Sequence, residues 1–437
     1  MTPLRKVSVA VLSWNGRHHL ETCLTALAAQ QARQVDWEVL VLDNGSTDGT
    51  AAWMRERWGR DPRVRLVESP VNLGFCAGNN RLAAEATGDA VAFLNNDTRP
   101  EPDWLGSLVE ALASASADVA AVSGKIVDWD AERLDFGRGV MTFDGHAFQL
   151  DFRRPLAAAR LPAAGEELPF ACGGNLLVRR ASFLAAGGFD ESYFAYLEDV
   201  DLGWRLWSGG ERILFAPGAV VRHRSSATSD LLGLFNRGFL FERNAFLTAY
   251  KNYEPSLWER MMPAVMLALT SRTQALLESN PGAEILRVDP YAGHIANTGG
   301  NGPAAVELPP ATTWQGFKIR WRGYGPREFL RRGLRKMGLG AAPAPAASPQ
   351  ITDERTIAQF RALHWLLGNL EGAAKSRAAV QGRRKRSDRE IFERFPLYLV
   401  PTYPGDQTLF ASPGFQAWLP EDLPLVKAPL EEIMEMG

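Results

Sequence analysis

The order of apolar and polar positions divides this chain in two. Up to residue 125, short runs rich in Val, Leu and Ala at 7–13, 39–43, 64–68, 90–94 and 119–125 alternate with stretches of helical period at 17–30, 47–58, 75–87 and 104–114. Strand, helix, strand at this spacing requires crossover connections, which are right-handed and cover both faces of a parallel sheet with helices. The predicted fold is α/β, with a doubly wound, mostly parallel sheet. From 134 to 169 the rhythm gives way to Gly, Phe, Asp and Arg with weak alternation, which predicts hairpins and loops. Strand-like order returns at 175–178, 213–216 and 219–221. Beyond His223 the pattern is helical at 231–249, 256–277 and 356–395. Between these, 280–310 is punctuated by Gly and Pro, and 338–349 is an Ala/Pro linker of extended form. Two regions are expected: an α/β domain over 1–230 and a mainly helical region over 231–437. No internal repeat is present.

Composition narrows the classes. Of 437 residues, 46% are hydrophobic and 22% charged, as in a chain that buries a large core. Forty-eight Lys and Arg against 50 Asp and Glu leave a net charge of −2, so this is no generic polyanion binder. The charge is unevenly placed. Residues 231–437 carry 25 basic and 20 acidic side chains, the remainder 23 and 30. The three cysteines, Cys23, Cys76 and Cys172, match no metal-ligand spacing and read as reduced thiols of a cytoplasmic protein. No run approaches the ~20 apolar residues that span a bilayer. Residues 7–12 follow Arg5 and Lys6 as in a signal peptide, but the run is too short and lacks a small-residue cleavage site.

Ligands of doubly wound sheets bind outside the carboxyl ends of the strands, where helices point their amino ends at the site. After the first strand come Ser13, Trp14 and Asn15, without the Gly-x-Gly-x-x-Gly of a dinucleotide-binding dehydrogenase. After the second come Asp43, Asn44, Gly45, Ser46, Thr47 and Asp48. Ser46 to Asp48 suit helix capping equally well, whereas Asp43 ends an apolar strand and should face a ligand. Asn72, Gly74, Phe75, Asn79 and Asn80 follow the third strand, where glycines permit close backbone approach. The fourth ends in Asn95, Asn96 and Asp97. A carboxylate there suits either a turn or a divalent cation that still holds substrate phosphates. A second acidic cluster, Glu198, Asp199 and Asp201, is flanked by Tyr196 and Trp204. The helix dipole favours acids in a first turn, but three in four residues exceed what capping needs. Asp201 is the one assigned to structure. His223, closing a strand, is a metal-ligand candidate.

These elements, in this order, resemble the family 2 glycosyltransferases of the GT-A fold, and are similar to bacterial rhamnosyltransferases and galactofuranosyltransferases. The resemblance runs from Val7 to about residue 229, with weaker matches at Arg243-Asn244, Lys251-Asn252-Tyr253 and 377–386. It implies that Asp43 contacts the nucleobase and that Asp97 is the metal-binding carboxylate of an Asp-x-Asp motif whose first acid is here Asn95. His223 would complete a Mg²⁺ or Mn²⁺ site, and Asp199 would be the general base beside Glu198. Ser13, Asn15, Asp43, Asn44, Ser46, Asn72, Gly74, Phe75, Asn79, Asn95 and Asn96 are expected on the donor side. Gly174, Tyr196 and Trp204 are expected on the acceptor side.

The chemistry agrees with that implication. Breaking a sugar–diphosphate bond develops negative charge that a divalent cation neutralises, and a carboxylate can accept the proton of an attacking hydroxyl. One base without a second nucleophilic carboxylate implies direct displacement with inversion. The expected partners are a nucleotide-diphosphate sugar, by resemblance dTDP-rhamnose, and a glycan or lipid-linked acceptor in cell-envelope polysaccharide synthesis. A sugar nucleotidyltransferase is the alternative within this fold, but Trp14-Asn15-Gly16 does not supply its Gly-rich basic loop. A non-catalytic scaffold is opposed by the presence of Asp43, Asp97, Asp199 and His223 together. Eight basic residues against one acid over 318–336, interleaved with aromatics, and a second basic cluster at 383–386 on a predicted helix fit an anionic membrane surface at the inner face of the membrane. No nucleic-acid motif accompanies them.

Overall fold

A computed structural model describes residues 4–32, 34–224, 233–279, 354–403 and 405–434. The expected linkers at 280–310 and 338–349 and the basic stretch 318–336 lie outside the described residues.

Nine strands form one sheet. They are β1 (Lys6–Ser13), β2 (Asp36–Asn44), β3 (Val64–Ser69), β4 (Ala90–Asn95), β5 (Thr98–Pro100), β6 (Val119–Asp128), β7 (Leu134–Phe136), β10 (Asn175–Arg179) and β11 (Arg212–His223). The short hairpin β8 (Gly139–Met141) and β9 (Ala147–Gln149) stands apart from it. The sheet order is β3-β2-β1-β4-β10-β6-β11-β5, with β7 on β6. The segments at 213–216 and 219–221, expected as two strands, are one strand bulged between Ala216 and Val220. The sheet is mixed, because β10 runs antiparallel to both β4 and β6. Its reversal brings the chain into the sheet at the edge where β4 and β6 end.

Helices α1 (Arg17–Ala28), α2 (Thr50–Trp58) and α4 (Trp104–Ser114) cover one face, burying Leu20, Leu24, Met54 and Leu108 with Val9 and Val41. On the other face lie α3 (Gly74–Glu85), α5 (Arg180–Ala186) and α6 (Glu198–Ser208). The polar residue Asn175 is buried at the start of β10, yet fully engaged. It accepts from Trp104 Nε1 at 2.7 Å and donates to the carbonyl of Ala219 at 3.0 Å.

The helical region packs on that second face. Helices α7 (Gly233–Asn252), α8 (Pro255–Ser279), α9 (Glu354–Gly368), α10 (Leu370–Gln381) and α11 (Asp388–Arg394) share one core with α3 and α6. The expected single stretch 356–395 is broken twice, at Gly368-Asn369 and before Ser387. Ser387 starts α11 with a reciprocal capping box to Glu390.

The second basic cluster, Arg383 to Arg386, is not on a helix and is not a free cationic face. Arg386 donates to the carbonyls of Trp207 and Glu211 at 2.9 and 3.2 Å, and the Lys385 amide donates to that of Ser208 at 2.7 Å. Arg384 pairs with the buried Asp388 at 2.9 Å. The last carbonyls of α6 need donors and attract cations, and these residues supply both.

Candidate active site

Three strand ends and one helix start meet at a single edge. Ser13 ends β1, and its hydroxyl accepts from Asn96 Nδ2 at 3.0 Å. Asn15 follows in a left-handed conformation, φ 50°. Its amide donates to Ser46 Oγ at 2.8 Å, and its side-chain oxygen accepts from the Thr47 amide at 2.8 Å. Asp43 ends β2 and accepts from the Ser46 amide at 3.0 Å through Oδ1. Asn15, Asp43 and Ser46 are joined by these bonds, and Ser13 stands opposite Asp43 in the β1–β2 register.

Asn44 has a different task. It donates to Asn72 Oδ1 at 2.9 Å and accepts from the Leu73 amide at 2.9 Å, bracing the turn that opens α3. Asn72 in turn accepts from the Gly74 amide at 2.8 Å. Gly74 is at φ 79°, and a Cβ there would stand 2.5 Å from the Phe194 ring. Phe75 donates its amide to the carbonyl of Phe194 at 2.7 Å. Asn79 is buried within α3 and donates back to the Phe75 carbonyl at 3.0 Å. Asn95 closes against Gly174, whose added Cβ would meet its amide at 2.9 Å.

Asp97 and His223 come together although they are distant in sequence. His223 Nε2 lies 3.3 Å from Asp97 Oδ1, and its Nδ1 lies 2.7 Å from Asp135 Oδ2. Without a cation, burial opposes a charge on the imidazole but the two carboxylates prevail and raise its pKa to about 10; a cation held at Nε2 would displace that nitrogen's proton. Asp135 was not singled out in the sequence. A lone acid between Leu134 and Phe136 carries no signal until β7 is paired with the end of β6, which also pairs with the end of β11. A carboxylate on the far ring nitrogen is the usual support of a metal-bound histidine, since it fixes tautomer and ring orientation. The donor set therefore fits a divalent cation at Asp97 and His223. Among the described residues no group of three or more His, Cys, Asp or Glu side chains converges as ligands.

The acid pair starts α6. Asp199 Oδ2 accepts from the Gly173 amide at 3.0 Å, and Oδ1 from the Val200 amide at 2.9 Å. Burial raises its pKa against those bonds. Glu198 is more buried, its Oε2 has no hydrogen-bond partner, and burial followed by the charge of Asp199 pushes its pKa well up. Burial raises the pKa of both acids, and Asp199 differs from Glu198 in accepting two main-chain N–H bonds that favour its charged form. Asp201 belongs to structure as expected. It is fully buried between Arg205 at 2.8 Å and Lys251 at 3.0 Å.

The loop before the pair is strained. Phe194, Tyr196 and Leu197 have φ of 62°, 71° and 63°, conformations that cost non-glycine residues about 1–3 kcal/mol each. Helix α7 holds it there. Asn244 Nδ2 reaches the carbonyls of Tyr193, Ala195 and Tyr196 at 3.1, 2.8 and 2.7 Å. Arg243 donates to Ser192 and Tyr193, each at 2.8 Å. Tyr196 and Gly174 thus lie beside the acid pair. Trp204, expected on the acceptor side, does not. It is buried in the core at 1% exposure, edge-on to Tyr253 and Phe392, and donates to Asp388 at 3.2 Å. It lies on the inward face of α6, one turn beyond Val200, and reaches no ligand.

The sequence profile described as glycosyl transferase family 2 matches residues 8–185. The chain is 34% identical over 238 residues to an N-acetylglucosaminyl-diphospho-decaprenol L-rhamnosyltransferase of Mycobacterium tuberculosis, a match covering 50% of this chain and 76% of that protein. It is 30% identical over 233 residues to the O-antigen biosynthesis protein RfbC of Myxococcus xanthus, covering 51% of this chain and 18% of that one. Among solved structures, a mannosyltransferase from Pyrobaculum calidifontis in complex with GDP-Man and Mn²⁺ aligns at 20% identity and a TM-score of 0.41, over 67% of this chain and 83% of its own. The chain belongs to glycosyltransferase family 2, and its sheet has the GT-A architecture.

Proposed function

We propose that this protein is an inverting glycosyltransferase that moves a sugar from a nucleotide-diphosphate donor to a hydroxyl of a glycan or lipid-linked acceptor. The observation that supports the reading is the Asp97–His223 pair at the strand ends, with Asp199 held by the amide of Gly173, whose neighbour Gly174 packs on Asn95, two residues before Asp97. Asp43, Ser13 and Asn15 form the floor for the nucleoside and ribose. Asp97 and His223 would hold a divalent cation, which when bound would neutralise the charge developing on the departing diphosphate. Asp199 accepts the proton of the attacking hydroxyl, while burial, and then the charge of Asp199, disfavours the charged form of Glu198 beside it. With Asp199 as the single base and no covalent intermediate, displacement is direct and inverts the anomeric carbon.

The rhamnosyltransferase relative supports a rhamnose donor and a glycosyl-diphospho-lipid acceptor; deoxythymidine diphosphate as the donor's nucleotide, and a place in envelope polysaccharide synthesis, rest on the sequence resemblance. Residues 1–230 are read as the catalytic domain and 231–437 as its helical companion. No helix among the described residues is long and apolar enough to cross a membrane. We place the enzyme at the cytoplasmic face, held by the basic stretch 318–336. A panel of nucleotide sugars, assayed for hydrolysis and transfer with Mg²⁺ or Mn²⁺, tests the reading. Turnover of nucleoside triphosphate with sugar phosphate, and none of any nucleotide sugar, would assign the protein to the nucleotidyltransferases.

A further inference from the structure

A cavity of about 570 Å³ opens on the side of His223 away from Asp97. Asp135, which holds the far ring nitrogen, is part of its wall, so the imidazole separates the cavity from the donor-side carboxylate. Trp129, Arg133, Arg153 and Arg224 line the rest, with Asp128 and Asp130. Two of the three acids are turned to the protein. Asp128 accepts from the amides of Glu132 and Arg133 at 2.8 and 3.0 Å, and Asp135 is engaged by His223. The Arg224 guanidinium lies 3.9 Å from the Trp129 ring centre. Stacking of this kind fixes the plane of the guanidinium while its N–H edges stay directed outward.

Backbone strain marks the same wall. Among the described residues seven non-glycine positions have positive φ. Four, Asn15, Phe194, Tyr196 and Leu197, belong to the candidate active site. The other three, Ala131, Asp151 and Arg153, stand in the two loops that bound this cavity, with φ of 61°, 61° and 65°. Such conformations persist where surrounding structure enforces them, and they gather at ligand sites. Here the enforcement is visible. Asp151 is fully buried, paired with Arg160 at 2.7 Å and Arg154 at 3.1 Å, and its amide donates to the carbonyl of Ile433 at 2.6 Å. That anchor holds Arg153 at the cavity, and Arg133 ties the two loops together by donating to the Arg153 carbonyl at 2.7 Å.

We propose that this cavity binds the phosphate-bearing end of the acceptor, a glycosyl diphosphate, through Arg153, Arg224 and Arg133, and so presents the acceptor sugar toward Asp199. The assignment rests on the transferase reading above and adds to it the site and the side chains that would hold the acceptor's phosphates. Guanidinium forks match phosphate oxygens in pairs, which ammonium groups do not.

The test is titration calorimetry on the whole protein, without divalent cation or nucleotide. One probe is farnesyl-diphospho-N-acetylglucosamine. Its control is the farnesyl glycoside lacking both phosphates, and inorganic phosphate is titrated separately. The diphospho probe should bind, the glycoside should not, and inorganic phosphate should bind more weakly than the probe. Arg153→Gln and Arg224→Gln should each weaken the probe about tenfold or more, whereas Arg153→Lys, which keeps the charge and loses the fork, should fall between. Equal affinity for both farnesyl probes would overturn the proposal, as would unchanged affinity in both Gln variants. Inorganic phosphate binding as tightly as the probe would also overturn it, by making this a site for the free anion. Intact, Arg153-dependent probe binding in a protein that turns over no nucleotide sugar would instead sink the transferase reading and leave the cavity's assignment standing.

Discussion

Asn244 on α7 donates to the main-chain carbonyl of Tyr196 at 2.7 Å, two residues before the Glu198–Asp199 pair. A buried amide on the helical region thereby sets a backbone conformation on which the candidate base depends. Replacing it leaves loop carbonyls unpaired, at about 1–3 kcal/mol each, and releases a strained turn. Asn244→Ala should bind nucleotide nearly as well as the parent while turnover falls by about 10²-fold, the scale of small misplacements at a reacting centre. Equal loss of nucleotide affinity and turnover in calorimetry and steady-state kinetics would reduce Asn244 to a general packing role.

Asp199→Asn should keep donor affinity and lower turnover by roughly 10² or more, the usual effect of a lost general base. Glu198→Gln should be much milder, because burial disfavours a charge there and its buried Oε2 has no hydrogen-bond partner to lose. The reverse ranking would exchange the two roles.

Asp97→Ala should abolish divalent-cation-dependent nucleotide binding and leave the circular dichroism spectrum unchanged. Activity that persists in excess chelator would remove the cation from the mechanism.

The anomeric configuration of the product should be opposite to that of the donor. Proton coupling at the new linkage reads this directly, and retention would require a nucleophile the site does not provide.

A pH effect on stability follows from His146, which is buried 3.1 Å from Asp144 and 3.3 Å from Glu242 where the β8–β9 hairpin meets α7. Burial disfavours its charge, but the two acids outweigh that and raise its pKa to about 10 from 6.5. A folded pKa above the unfolded one means that the stabilisation is complete below about pH 6.5 and is lost as pH rises through about 10. Urea midpoints should fall across that interval, and the fall should be shallower in His146→Gln. Parallel curves for both proteins would show that His146 is not the titrating group.

The strands at β1, β2, β3, β4 and β6 were legible within a few residues because each is a local apolar run bounded by turn chemistry. The direction of β10 was not. A buried strand reading Asn-Leu-Leu-Val looks the same whichever way it runs, and only the sheet's order reverses it. Asp97 and His223 were legible as strand-end residues, whereas Asp135 needed the pairing of β6 with β7 to reach them. Trp204 was misplaced because proximity in sequence to the acids was taken for proximity to ligand, on a helix nearly all of whose residues are buried. The break before α11 had a readable signal, since Ser387 and Glu390 stand at capping-box spacing.

The order in which this chain is made runs against the order in which its parts depend on one another. The loop at 192–197 is synthesised before Arg243 and Asn244, so its carbonyls first exist without their side-chain donors. The last carbonyls of α6 wait longer still, for Lys385 and Arg386. A chain still on the ribosome can complete most of the nucleotide floor while the acid pair is unset. The step that arms the base therefore comes late in the life of each molecule, after the helical region has closed over the sheet.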